Sequence, residues 1–184
     1  MSVKDQSREI SMVKKKNFIV GAAVGTNKED LERTKSLINN GCDLIVIDTA
    51  HGHSKKVLNT LSRLKKIIKQ IPICVGNIAT AEAAKRLYNS GADIIKVGIG
   101  PGSICTTRMV AGIGVPQVSA IMEVKESLKK TKIKIISDGG IKFSGDIAKA
   151  LAAGADAIMM GSIFAGTDES PGKKFKLKGK IYKK

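Results

Sequence analysis

The sequence predicts an α/β fold of the (β/α)8 TIM-barrel type, with six of the eight βα units apparent. Short apolar runs alternate along the chain with stretches of helical periodicity. A Gly-x-Asp pattern recurs three times at the junction between a helix and a following strand. The crossover connection between two strands of one sheet is almost always right-handed, so repeated βα units predict a parallel sheet.

The predicted strands are rich in isoleucine and valine and show little alternation between apolar and polar residues. Such runs are typical of parallel strands that are buried on both faces. The strands are Phe18–Val24, Leu44–Asp48, Ile73–Val75, Ile94–Val97, Ile133–Ser137 and Ala157–Met160.

Helical periodicity fills the intervals between these strands. Thr26 and Glu29 have the spacing of a capping box, which predicts the start of the first helix. Gly41, Gly91 and Gly154 each follow a helical stretch, where glycine suits the left-handed position that ends a helix. The predicted helices are Lys28–Asn39, Ser54–Lys69, Ala81–Asn89, Gln117–Lys129 and Gly145–Ala153.

Length and composition indicate one globular domain. The chain has 184 residues, 42% of them hydrophobic, and no apolar run approaches the length of about 20 residues that a membrane span needs. Residues 1–16 form a polar N-terminal segment without a signal core, residues 17–172 the partial barrel, and residues 173–184 a basic tail expected to be flexible. Three cysteines without metal-ligand spacing fit a reducing compartment. The sequence therefore predicts a cytoplasmic protein with no membrane partner.

The formal net charge of +16 raises the question of nucleic-acid binding. Most of the positive charges are scattered lysines, and the chain has only two tyrosines, four phenylalanines and no tryptophan for base stacking. We therefore predict a solvated lysine-rich surface and no nucleic-acid partner. A positive field that attracts phosphorylated substrates is a weaker alternative.

Polar and glycine-rich segments follow the predicted strands. In a β/α barrel the carboxyl ends of the strands share the face that carries the active site. Glycines after the last two strands stand where such barrels bind phosphate through backbone N–H groups. The segments are 48–53, 76–77, 98–108, 138–140 and 161–162.

The segment 98–108 contains the strongest candidate for a nucleophile. Cys105 lies among hydroxyl side chains, next to a backbone that three glycines have freed of side chains. A thiolate there would be favoured by backbone dipoles and by Arg108, whereas a structural loop cysteine is the alternative. Cys42 and Cys74 border or occupy apolar strands and are predicted to be inert core residues.

Residues 98–108, Gly-Ile-Gly-Pro-Gly-Ser-Ile-Cys-Thr-Thr-Arg, resemble the active-site loop of the IMP dehydrogenase family. The continuation from Met109 to Gln117 is similar to that family too, and the resemblance extends from about Asn17 onward. It implies an NAD-dependent oxidoreductase that oxidises IMP to XMP in guanine nucleotide biosynthesis. Cys105 would add to C2 of the purine, hydride would leave for the nicotinamide, and water would hydrolyse the thioimidate with help from Thr107.

The resemblance also implies ligand contacts. Potassium would bind carbonyl oxygens, and the assembly would be a homo-oligomer, a tetramer in the family. The residues implied for IMP are Ser103, Asp138, Gly139, Gly140, Gly161 and Ser162. The residues implied for NAD are Asp48, Asn77, Gly98, Ile99 and Gly100, and those for potassium are Gly100, Gly102 and Cys105.

Several of these residues would also suit a purely structural role in a turn or a helix cap, and this alternative stays open. Asp138 would also suit a cap or turn, Asn77 an Asx turn, and Ser103 and Thr107 turn positions. The two histidines, at positions 51 and 53, have the spacing of a metal pair but no accompanying cluster, so we predict that they shape the cofactor side instead.

The resemblance covers only part of the family's catalytic domain. Two initial barrel strands have no counterpart here, nor does the Tyr-Arg-Gly-Met-Gly phosphate motif or the flap that follows it. Alternatives are therefore a GMP reductase, which shares the fold and the cysteine, and a non-catalytic remnant that binds nucleotide or oligomerises. The residues after Arg108 and the segment 48–53 favour the dehydrogenase.

Overall fold

Six parallel strands, paired in the order of the chain, form the central sheet. The structure is a computed structural model that describes residues 1–183. Sheet order and parallel pairing confirm the predicted class, an incomplete (β/α)8 barrel. The strands are β1 (Gly21–Val24), β2 (Leu44–Asp48), β3 (Ile73–Ile78), β4 (Ile94–Val97), β5 (Lys134–Asp138) and β6 (Ala157–Met159).

Helices connect the strands and cover the sheet. All five predicted helices are present within a few residues of the expected bounds, and the structure adds two more, α1 and α5. The helices are α1 (Val3–Lys14), α2 (Asp30–Asn39), α3 (Lys55–Ile67), α4 (Ala81–Asn89), α5 (Thr107–Val110), α6 (Gln117–Ser127) and α7 (Ser144–Ala152). Among residues 1–183, no helix combines the length and the apolar character that crossing a bilayer would require.

The polar N-terminal segment is helical and belongs to the fold. The Ser2 hydroxyl accepts a hydrogen bond from the Asp5 N–H and so caps the start of α1. Ile10 is buried in the common core, and α1 packs against α2. The low overall hydropathy of the segment concealed this helix, because a single buried face is sufficient to attach it.

Two predicted boundaries near β1 are wrong. The capping box at Thr26 and Glu29 does not form, since Glu29 has helical dihedral angles and its side chain makes no capping hydrogen bond. Instead the Asp30 carboxylate accepts a hydrogen bond from the Asn27 N–H at 2.8 Å. The first strand begins at Gly21, and Phe18 before it is exposed.

The basic tail forms a hairpin, which the sequence did not predict. Strand β7 (Lys174–Leu177) pairs antiparallel with β8 (Lys180–Lys183). Both residues of the turn, Lys178 and Gly179, have positive φ, as a tight two-residue hairpin requires. Apolar residues alternate with lysines along the first strand, a period-two pattern that the high charge of the segment conceals. The tail nevertheless lies at the surface, and Lys184 is outside the described residues.

At the amino ends of the strands, the aspartates of the Gly-x-Asp repeat link neighbouring strands. The three glycines have left-handed φ values, as predicted. Each aspartate accepts a hydrogen bond from a backbone N–H at the start of the neighbouring strand and one from a lysine ammonium. The sets are Asp43 with Val20 and Lys14, Asp93 with Ile73 and Lys65, and Asp156 with Ile135 and Lys134. The repeat is therefore structural and lies opposite the polar strand ends.

Replacement of Asp43 by asparagine should make the stability less dependent on pH. Hydrogen bonds from the Val20 N–H and then from Lys14 hold the pKa of Asp43 below its usual value. A lowered folded-state pKa contributes stability above the unfolded value of about 3.9, and this contribution is lost as the pH falls through the folded-state pKa. The unfolding free energies of wild type and Asp43→Asn should therefore differ at neutral pH and converge in acid.

Urea denaturation over a pH series measures this difference. Glu9→Gln, which removes an exposed carboxylate on α1, is the control and should leave the pH dependence close to that of the wild type. Parallel curves for wild type and Asp43→Asn would contradict the prediction.

Candidate functional site

Two adjoining cavities lie at the carboxyl ends of the strands. The first has a volume of about 290 Å³ and the second of about 410 Å³. They share a wall made by Pro101, Gly102, Asp138 and Gly139. This wall joins the loop after β4 to the loop after β5, and it exists because both strands end at the same edge of a parallel sheet.

The residues singled out from the sequence divide between the two cavities. Those implied for the cofactor, together with both residues implied for catalysis, line the first cavity: Asp48, Asn77, Gly98, Ile99, Gly100, Cys105 and Thr107. Those implied for the substrate line the second: Ser103, Asp138, Gly139, Gly140, Gly161 and Ser162. The fold thus brings together residues that lie more than a hundred positions apart, while their individual roles stay predictions.

Cys105 is exposed in the loop between β4 and α5. Its Sγ lies 3.2 Å from Oγ1 of Thr107. The Thr107 side chain, then its backbone N–H, and to a smaller extent the charge of Arg108 lower the pKa of the Cys105 thiol. By contrast, burial raises the pKa of Cys74 to about 12. Cys105 is therefore the thiol that is chemically suited to act as a nucleophile.

Thr107→Val should slow alkylation of Cys105 near neutral pH. The substitution removes the hydroxyl that stabilises the thiolate, so the pKa rises and the thiolate fraction falls at a given pH. Labelling with iodoacetamide, followed by mass spectrometry, measures the rate at each cysteine. Thr106→Val removes a neighbouring hydroxyl and is the matched control. An equal loss of rate in both variants would argue against a specific contribution of Thr107.

A buried lysine, which the sequence reading missed, lies at the floor of the first cavity. Only 2% of the Lys96 side chain is exposed. Its Nζ donates to Asp48 Oδ1 at 3.0 Å and to Asp138 Oδ2 at 2.5 Å. Burial alone would lower the pKa of Lys96, but the hydrogen bonds and charges of Asp138 and Asp48 outweigh it, so the pKa is raised and the ammonium stays charged.

Lys96 could have been found from the sequence. It interrupts the apolar run Ile-Ile-Lys-Val of a strand predicted to be buried on both faces. A lysine in that position is almost never fully buried without a charged partner. The run therefore indicated a carboxylate nearby, although it could not say which one.

Asn77 and Gln117 hold the strand ends together. Asn77 Nδ2 donates to Asp138 Oδ2 at 2.9 Å and to the Gly98 carbonyl oxygen at 2.8 Å. Gln117 Nε2, at the start of α6, donates to the Val97 carbonyl oxygen at 2.8 Å. The second amide was also missed, because a glutamine at the start of a helix carries no distinctive signal.

The Asn77 side chain has one unpaired hydrogen-bond acceptor. Its Oδ1 is buried and has no hydrogen-bond partner within residues 1–183. Buried polar groups are nearly always paired, so this oxygen is an exception within a residue that lines the first cavity.

The two histidines lie outside both cavities. The ring centroids of His51 and His53 are 6.4 Å apart, and neither side chain lines either cavity. No cluster of three or more His, Cys, Asp or Glu side chains suited to a metal ion occurs in the part of the chain that the structure describes.

Comparisons with known proteins bear on this site. The family model described as "IMP dehydrogenase / GMP reductase domain" matches residues 1–184. The relative from Aquifex aeolicus (strain VF5), named inosine-5'-monophosphate dehydrogenase, is 56% identical over 164 residues, which cover 89% of this chain and 34% of the relative. The relative of the same name from Bacillus subtilis (strain 168) is 55% identical over 166 residues, covering 90% and 34%. The chain spans about a third of the length of these relatives.

Proposed function

This chain belongs to the IMP dehydrogenase / GMP reductase family, and we propose that it provides part of the catalytic domain of an IMP dehydrogenase. The observation that carries the proposal is the single exposed, activated thiol of Cys105, which lines the first of two adjoining cavities formed by the residues that the resemblance implied. The names of the relatives support the dehydrogenase over the reductase.

The second cavity suits a nucleoside monophosphate, which we infer to be IMP. Gly140, Gly161 and Ser162 offer backbone N–H groups and a hydroxyl where barrels of this type hold phosphate. Asp138 lies on the wall between the two cavities and offers carboxylate oxygens to ribose hydroxyl groups. With the phosphate held in the second cavity, the purine would extend past the shared wall toward Cys105 in the first cavity, and C2 would lie within reach of the thiolate.

The first cavity suits the nicotinamide ribose of NAD. Asp48 binds Lys96 through Oδ1, while 49% of its side chain is exposed, so Oδ2 is available to a ribose hydroxyl. Asn77 lines the same cavity beside Asp48. When bound, NAD accepts the hydride that leaves C2 of the purine.

The chain's own residues would perform the covalent steps. The Cys105 thiolate forms a C–S bond with C2 of the purine, and loss of hydride leaves a thioimidate on the enzyme. Water then adds to C2 and loses a proton, the C–S bond breaks, and the sulfur leaves as the thiolate when XMP is released. Division of the oxidation and the hydrolysis into two steps lowers each barrier. Thr107 stabilises the sulfur anion at both ends of this sequence.

Potassium and a homo-oligomer complete the proposal. The carbonyl oxygens of Gly100, Gly102 and Cys105 are hard ligands that fit a monovalent cation, which would fix the conformation of the loop. Ile104 and Met109, at 95% and 88% exposure, are large apolar side chains in the segment that surrounds Cys105. A second copy that covers them would support a tetramer of the kind found in the family.

Thermal unfolding with and without IMP, at fixed potassium, tests the proposal. IMP should raise the unfolding temperature, because a ligand that binds only the folded state stabilises it. Inosine, which lacks the phosphate, is the control and should have a much smaller effect. An unchanged transition with IMP would contradict the proposal. Binding without NADH formation would indicate a non-catalytic, nucleotide-binding remnant.

A further inference from the structure

Lys96 is the most deeply buried charged side chain among residues 1–183. It lies in β4, the fourth of six strands, where both neighbouring strands pair with it. A charge withdrawn from water in this way is costly unless it is paired and hydrogen-bonded. Its two ion pairs with Asp48 and Asp138 meet that requirement.

The two partners of Lys96 come from different strands and face different ligands. Asp48 ends β2 and lines the first cavity alone, whereas Asp138 ends β5 and lines both cavities. One ammonium group therefore holds the carboxylate proposed for the cofactor and the carboxylate proposed for the substrate. No other side chain in the described part of the chain forms ion pairs with both.

Strand β3 packs closely against the base of Lys96. A Cβ atom built on Gly76 would lie 2.7 Å from Lys96 Cβ and 2.6 Å from its carbonyl oxygen. The absence of a side chain at Gly76 thus lets the two strands approach closely at the base of the lysine. At the other end of the side chain, Nζ lies between the two carboxylates and donates to both.

We propose that Lys96 is a positioning residue that couples the substrate site to the cofactor site. The inference rests on the proposed assignment of Asp138 to IMP and Asp48 to NAD. A ribose hydroxyl that donates to one carboxylate weakens its attraction for the ammonium and strengthens the ion pair on the other side. The coupling is reciprocal, so each ligand changes the affinity for the other by the same factor.

A double-mutant cycle on the full 184-residue chain tests this coupling. The dissociation constant of IMP is measured by calorimetry in wild type, Asp48→Asn, Lys96→Met and the double variant. Asp48→Asn should weaken IMP binding about fivefold, although Asp48 does not line the substrate cavity. Since Lys96 then pairs with Asp138 alone, it attracts that carboxylate more strongly and competes with the ribose hydroxyl group of IMP. In the Lys96→Met background the same substitution should have no effect on IMP binding.

A second substitution keeps the test decisive if Lys96→Met does not fold. Lys96→Gln also removes the charge that joins the two carboxylates, so in this background too Asp48→Asn should have no effect on IMP binding. Glu126→Gln removes an exposed surface carboxylate and is the control for charge alone. It should leave IMP binding unchanged, and unfolding temperatures should show that each variant is folded.

The failures of the two proposals are distinguishable. If the wild type binds IMP and NAD but Asp48→Asn leaves IMP binding unchanged, the coupling is overturned and the proposed function stands. An effect of Asp48→Asn that persists in the Lys96→Met background also overturns the coupling through Lys96. If the wild type binds neither ligand, both the proposed function and the coupling are overturned.

Discussion

Cys105→Ala is expected to abolish NADH formation from IMP and NAD. Without the thiolate, C2 of the purine has no nucleophile to raise its hydride-donating power, so the rate should fall by at least about a thousandfold. The variant should still be stabilised by IMP, because the phosphate and ribose contacts proposed for the second cavity remain. Absorbance of NADH measures the first effect and thermal unfolding the second.

Trapping of the covalent intermediate gives a separate readout of the same assignment. Rapid acid quench followed by mass spectrometry should detect a purine nucleotide adduct on wild-type Cys105 and none on the alanine variant. Cys42→Ala, at a buried thiol near the amino end of β2, is the control and should retain the adduct. If Cys105→Ala formed NADH at the wild-type rate, the assignment of Cys105 as the nucleophile would be wrong.

Gly98→Ala is expected to lower the free energy of unfolding by about 3 kcal/mol. The φ angle of Gly98 is +152°, and a Cβ atom there would lie 2.2 Å from the carbonyl oxygen of Asp138. The ends of β4 and β5 would have to move apart, and Asn77, which donates to the Gly98 carbonyl oxygen, would lose its position. IMP binding should therefore weaken together with stability.

The matched control for this substitution is Gly145→Ala. Gly145 lies in α7, and a Cβ atom there would meet nothing within 4 Å. Alanine has a higher helix propensity than glycine, so the change should stabilise the protein by about 0.5 kcal/mol. Chemical denaturation measures the free energy of unfolding of both variants. Similar changes in this free energy would show that the contact with the Asp138 carbonyl oxygen is unimportant.

The fold class could be predicted because its signals are local. An Ile- and Val-rich run such as Leu44–Asp48 has to be buried on both faces, and a glycine such as Gly91 ends a helix whatever surrounds it. The start of α2 and the hairpin of the tail were not predicted, because the local signals of these two segments were less distinctive. Asp30 caps its own turn from inside the helix, and the net charge of the tail hid its alternating pattern.

The sequence predicted the segments that form the candidate site, but it did not predict the ion pairs that join them. The carboxyl ends of parallel strands meet at one edge, so the convergence of Asp48, Cys105 and Asp138 followed from the topology. The ion pairs of Lys96 did not, since they join residues 42 and 48 positions apart in the chain.

By itself the sequence determined the parallel α/β architecture and predicted the face that carries the candidate site. These follow from periodicity, glycine positions and strand polarity, which neighbouring residues set, whereas Cys105 was singled out chiefly by the resemblance of its loop to a known family. Only the tertiary structure decided which groups touch: the exposure of Cys105, the division of the site into two cavities and the lysine shared by Asp48 and Asp138. Such contacts depend on the register of neighbouring strands and on the distance between their backbones, which no local pattern specifies.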